Sequence, residues 1–241
     1  MKAHQQQRLS EVRELLLRHP VEAHAAFYEA ATFGGPSLHF HRRAIGMVGG
    51  DLTRERLELI YATLAAWGMH RMGPSGSKMV PFPEFEASVQ ACTPTIRALA
   101  GVSPDQMEEQ SWNDLERLFR GIRVMASGTT IVGNSKVMAH LVPDLVPPVD
   151  RQYTLHLALG HKRIVNGLDR EWRLLRWLLE GLFHPIATDE AHLARCREWM
   201  AVQELFAWDT SPMKVVDNLV IGAMVIRGNG GATKGVTDGE V

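Results

Sequence analysis

Apolar positions in this chain recur at intervals of three and four residues along most of its length, the spacing that puts one greasy stripe on a helix. Leu9, Val12, Leu15 and Leu16 make the first stripe, which His19-Pro20 should end. An Ala-rich stretch from Val21 to Ala31 predicts a second helix, broken by Phe33-Gly-Gly-Pro36. Ser37 is a candidate cap for a helix through Ile45. After Gly49-Gly50, Asp51 or Thr53 caps a longer helix to about Trp67, with Leu57, Ile60, Tyr61, Leu64 and Trp67 on one side. Residues 68–78, rich in Gly, Ser and Pro, read as a loop. Pro83 should start a helix that stops before Pro94, and Leu115 to Met125 shows the most regular amphipathic pattern of all.

Downstream, Ser127 to Thr130 reads as a turn, and a Gly-led polar stretch opens an apolar helix that carries Lys136. Prolines 143, 147 and 148 stop that helix and deliver Asp150 to the start of the next, Arg151 to Leu159, which Gly160 closes. Asp169 to Leu182 and Thr188 to Phe206 are predicted helices, with His184-Pro185 as a terminator between them. Trp172, Trp177 and Trp199 fall at helical spacing among leucines and are expected in the core. Lys214 to Ile226 is β-branched, but Ser211-Pro212 supplies a cap and a first-turn proline, which favours helix. No period-two alternation lasts long enough for a strand, and no segment repeats. The expectation is an all-α protein: one compact helical domain of two lobes over residues 1–226, then a disordered Gly-rich tail over 227–241.

Composition narrows the function classes. The chain has 241 residues, 45% of them hydrophobic and 22% charged. A chain of that size and make-up can bury a core without a metal or disulfide staple. A formal net charge of −1 excludes a uniformly basic, histone-like binder and leaves only local basic patches for nucleic acid. Cys92 and Cys196 have neither zinc-type nor C-x-x-C spacing and are expected as reduced core residues. No stretch resembles a signal peptide and no apolar run is long enough to span a bilayer, so the expectation is a cytoplasmic protein with no membrane partner. No P-loop, nucleophile elbow or metal-ligand spacing occurs, and no metal or cofactor is called for.

Candidate chemistry concentrates between Ile131 and Arg151. Gly133, Asn134 and Ser135 at a helix start could present free backbone N–H groups to a phosphate, or Asn134 or Ser135 could simply cap the helix. Lys136, placed in the first turn, sits where a cation is mildly disfavoured, so it is either solvated or poised as an amine nucleophile. Asp150 suits an N-cap, a carboxylate that stabilises developing positive charge, or both together.

The order Val-Gly-x-x-Lys, apolar helix, Pro-rich turn and Val-Asp-Arg resembles the helix-hairpin-helix DNA glycosylases, over about residues 127–159. That resemblance implies a two-lobed helical fold that grips duplex DNA with the hairpin and excises a damaged base. By position it makes Gly133 a hairpin glycine, Lys136 the nucleophile of a base-excising lyase and Asp150 the catalytic acid. Ile131 stands where the first hairpin glycine is usual, Lys136 falls one residue late, and the gap to Asp150 is short. A non-catalytic nucleic-acid-binding module and a helical protein–protein interaction domain stand as the competing readings.

Two further segments are candidate DNA contacts, the plainer readings being a capped helix with a solvated basic face for the first and a connecting loop with Trp67 and Met69 facing the core for the second. His39, His41, Arg42 and Arg43 follow a tight turn, with the two histidines on different helix faces and so no shared metal. The 67–78 segment brings Trp67, His70, Arg71 and Lys78 into a loop long enough to enter a groove beside an extruded base. Arg151 completes the basic set. The lesion recognised and the oligomeric state are not encoded in any pattern.

Overall fold

The computed structural model describes residues 3–31, 34–73, 76–126 and 129–232. Helices build the fold: α1 (Ala3–Arg18), α2 (Pro20–Ala30), α3 (Pro36–Ile45), α4 (Arg54–Ala66), α5 (Phe82–Ala91), α6 (Thr93–Leu99), α7 (Glu109–Gly121), α8 (Ile131–Leu141), α9 (His156–Leu159), α10 (Leu168–Leu178), α11 (His184–Ala187), α12 (Glu190–Ala201) and α13 (Pro212–Ala232). The only strands among the described residues are a two-residue antiparallel pair, β1 (Met72–Gly73) with β2 (Gly76–Ser77). The protein is all-α. Among the described residues no helix is long and apolar enough to cross a membrane.

Local signals set several boundaries. The Thr53 hydroxyl accepts from Arg56 N, Asp189 from His192 N and Ser211 from Lys214 N. Each cap satisfies a free N–H of the first turn. Asp150 accepts from Tyr153 N at 2.7 Å, opening a π-turn (Arg151–Leu155) that runs into α9. Gly160 closes α9 in the left-handed region at φ 78°, the conformation in which helices commonly end.

Several boundaries differ from the sequence expectation. Helix α3 begins two residues early, with Gly35 as cap and Pro36 in the first turn; Ser37 lies inside, its hydroxyl donating to Gly34 O. Helix α7 stops at Gly121, and the chain beyond runs extended because Val80 N donates to Val124 O and Ala126 N to Lys78 O. Pro185 does not end its helix. A π-turn (Leu179–Phe183) just before it widens the coil where the proline ring would otherwise strike the preceding turn, and helix continues into α11. Helix α12 ends at Ala201, and α13 carries on past Ile226 to Ala232, into the region expected to be tail. Residues 127, 128 and 233–241, where a turn and the rest of that tail were expected, lie outside the described residues, as do 32 and 33 of the predicted break after α2.

One continuous core runs from Leu9 and Leu16 of α1 through Leu57, Phe85, Leu118 and Phe119 to Leu175, Phe183 and Leu219. Trp172 and Trp177 are buried in it, and both cysteines are free and buried. A satellite cluster of Phe27, Trp208 and Ile221, with Trp67 and Tyr153 against it, forms beside the core. What brings α13 there is its crossing with α2, where a Cβ on Gly222 would sit 1.8 Å from Ala23 O. Only glycine permits two backbones this close.

Candidate functional site

Asp150 is held in extended backbone (φ −131°, ψ 169°) after Pro147-Pro148-Val149, and its cap bond to Tyr153 N fixes one carboxylate oxygen. Lys136 lies in the second turn of α8 rather than the first, so its ammonium is not at the positive end of the helix dipole. Its Nζ stands 5.3 Å from the centre of the Trp67 ring, within cation–π range. Both residues line one cleft of about 380 Å³, together with Trp67, Tyr153, Trp208, Lys214 and Asp217. Among the described residues Lys136 makes no ion pair, so the ammonium and the Asp150 carboxylate face the same hollow without closing it.

The electrostatics follow from that placement. Burial lowers the Lys136 pKa from its ordinary value; Asp150 and Asp217 oppose the shift, while Lys214 and Arg71 add to it. Asp217 moves the other way: burial raises it, Asp150 adds to the rise, and the two lysines pull it back. Lys214 Nζ donates to Asp217 Oδ2 at 2.8 Å and also to Asn218 Oδ1. Asn218 Nδ2 in turn donates to Asp209 Oδ1 at 2.7 Å, and Asp209 Oδ2 lies 2.7 Å from His24 Nε2. The His24 ring stacks on Trp199 at 3.9 Å. This buried polar run fixes the cleft floor, and Lys214 also lies 5.7 Å from the Trp208 ring.

Behind Lys136, two histidines hold α8 in place. His140 Nδ1 lies 2.7 Å from Lys136 O. A carbonyl only accepts, so this nitrogen carries the proton and Nε2 is bare. His41 Nδ1–H then donates to His140 Nε2 at 2.9 Å, and Thr210 O–H donates to His41 Nε2 at 2.9 Å. The chain of donors has one direction, and it requires both rings neutral. Burial provides that, taking His140 to about 4 and His41 well below its ordinary value.

The turn expected to grip phosphate is not one. Gly133, Asn134 and Ser135 are buried inside α8. A Cβ at Gly133 would lie 2.7 Å from the Val124 side chain; Asn134 Nδ2 donates to Phe119 O and Ile122 O; the Ser135 hydroxyl accepts from Val149 N at 3.1 Å. The helix N-terminus is already filled. Thr130 N and Ile131 N both donate to Glu171 Oε2 at 2.6 Å, and Gly167 N donates to the other oxygen at 3.0 Å. Assigning DNA contacts to Gly133, Asn134 and Ser135 is therefore corrected: they have neither surface nor free donors to offer.

The basic candidates stay outside. Arg42, His70, Arg71, Lys78 and Arg151 are exposed, while Arg43 is engaged with Glu55 at 2.8 Å. Arg71 Nε donates to Gly68 O at 2.8 Å, and Gly68 lines the cleft, so this guanidinium sits at its mouth. Arg151 donates to the Thr129 hydroxyl.

No family model, curated protein or solved structure matches this chain. Sequence reasoning missed Trp208, Lys214 and Asp217. A signal existed: Lys214 and Asp217 stand three apart and are the charged residues of the run from Met213 to Ile221, which is apolar but for them and Asn218. Lone charges are tolerated in such a run only as a buried pair.

Proposed function

We propose that this protein is a DNA-glycosylase-like enzyme that receives an extruded nucleoside in the Trp67–Trp208 cleft and breaks its N-glycosidic bond with Lys136 and Asp150. The observation that carries the reading is the convergence of these two groups, from separate segments, on one aromatic-walled hollow without pairing with each other. The cleft measures about 380 Å³. That volume suits a single flipped nucleoside, and aromatic walls read a base by stacking. Contact with the duplex falls to Arg42, His70, Arg71, Lys78 and Arg151, not to a hairpin.

The chemistry needs a neutral amine, which burial favours. The Lys136 lone pair adds to C1′, and the C1′–N bond breaks with its electrons leaving on the base, which takes a proton from water. The attacked nitrogen, now a secondary ammonium, gives a proton to Asp150. That proton passes to O4′ as the sugar ring opens to an iminium on Lys136. Asp150 thus serves first as the carboxylate that steadies positive charge at C1′ and then as the proton carrier.

Duplexes carrying uracil, hypoxanthine, oxidised, alkylated and abasic sites, incubated with borohydride, provide the test. A trapped protein–DNA adduct is expected on at least one of them, lost in Lys136→Gln. Asp150→Asn should slow base release by about two orders of magnitude or more. If no substrate gives base release, strand cleavage or an adduct, the proposal fails.

A further inference from the structure

A second cavity, of about 480 Å³, lies away from the Lys136 cleft, between the α3–α4 connection, α6 with the turn after it, and the C-terminal end of α8. Its floor holds Arg56, only 3% exposed. One Arg56 N–H, on Nη2, donates to His140 O at 2.9 Å, as basic side chains do at the ends of helices. The rest of the guanidinium is unspent: Nε–H is sealed from solvent with no acceptor, and among the described residues no carboxylate pairs with it. A buried cation without a counter-ion is costly, and a single capping bond leaves most of that cost unmet. A second guanidinium, Arg97, stands exposed on the lining and forms no ion pair among the described residues.

The remaining lining is apolar or acidic. Ile96, Leu99, Val102 and Leu145 offer a greasy wall, whereas Asp51 and Asp144 stand exposed at the rim. Rim carboxylates repel a multiply charged anion more strongly than a monoanion, and the one buried cation needs one negative charge. We infer that this cavity binds the carboxylate of a small organic acid, its charge on Arg56 and Arg97 and its apolar body against Ile96, Leu99, Val102 and Leu145. The two cavities share no lining residue, so binding here is independent of any chemistry at Lys136.

The test titrates the full chain with hexanoate, acetate, phenyl phosphate and inorganic phosphate, by calorimetry and by methyl chemical shifts. Hexanoate should bind saturably at one site, more tightly than acetate or either phosphate, with shifts confined to the methyls of Ile96, Leu99, Val102 and Leu145. Arg56→Gln, which keeps a donor for His140 O, should weaken hexanoate at least about tenfold, the scale of one lost charge-assisted pair. Arg97→Glu, an exposed change that leaves packing intact, should also weaken it severalfold, so the inference remains testable even if the Arg56 variant fails to fold. No saturable binding, tighter binding of either phosphate, or hexanoate affinity unchanged in a folded Arg56→Gln or in Arg97→Glu would overturn it.

Discussion

At the scale of single residues, the His41–His140 pair makes the fold sensitive to acid. Protonating His140 Nε2 would replace its acceptor lone pair with a donor facing the donor on His41, inside a site with no solvent. The folded state holds His140 at about 4 against an ordinary 6.5, and His192 likewise at about 4. Since the unfolded chain takes up these protons first, stability is fully present above about pH 6.5 and declines as pH falls toward about 4. The decline for His140 alone is worth about 3 kcal/mol. Denaturant unfolding at steps from about pH 7.5 to about 4.5 should show it. His140→Gln should lower stability at neutral pH yet flatten the dependence; a variant as steep as the wild type would mean that the ring is not the group responsible. The sequence marked His41 as separate from His39, but its partner is ninety-nine positions away, and no local spacing announces a contact of that kind.

At the scale of elements, helices whose ends are written locally were legible. Thr53, Asp150 and Ser211 cap where their side chains and the following turn say they should, whereas Asp189 caps at a position expected to lie inside the helix from Thr188. Elements fixed by distant partners were not. Pro185 reads as a stop until the π-turn ahead of it is known, and residues 122–125 read as helix until the backbone of 78–80 claims that stretch. The start of α8 is the sharpest case: Gly133–Ser135 looks like an open phosphate cradle because nothing nearby in sequence says that Glu171, forty residues on from Ile131, has filled the N-terminus. Glu171 is 1% exposed and accepts from three backbone N–H groups. Glu171→Ala should therefore cost about 3 kcal/mol, measured as a shift in denaturant midpoint with the slope unchanged. The same loss of stability in Glu171→Gln would assign the effect to charge, and no loss in either would show that α8 does not need this cap.

At the scale of the whole molecule, the cleft is assembled from parts far apart in sequence: Ser37 of α3, the turn at 66–68, the one stretch that carries both α8 and the corner at 148–153, and the segment from Trp208 into α13. Lys136 and Asp150 were legible because they fall within one short motif; Trp208, Lys214 and Asp217 arrive only through the close crossing of α13 with α2. The same view of the molecule constrains how it could hold DNA. A net charge of −1 supplies no general attraction and the phosphate cradle is closed, so the proposed DNA binding would have to use exposed cations such as Arg71 at the cleft mouth and Lys78 beyond it. Each phosphate neutralised contributes about 0.9 to the slope of log affinity against log salt. A duplex held by Arg71, Lys78 and one or two neighbours should therefore show a shallow slope, roughly 3 to 4. Arg71→Glu with Lys78→Glu should weaken binding at low salt and reduce that slope by about 2, measured by fluorescence anisotropy over a salt series. The paired change at Arg43, already neutralised by Glu55, should leave the slope where it is. A slope indifferent to Arg71 and Lys78 would place any nucleic acid on another face, and Lys136 would then be looking into a cleft no extruded base could reach.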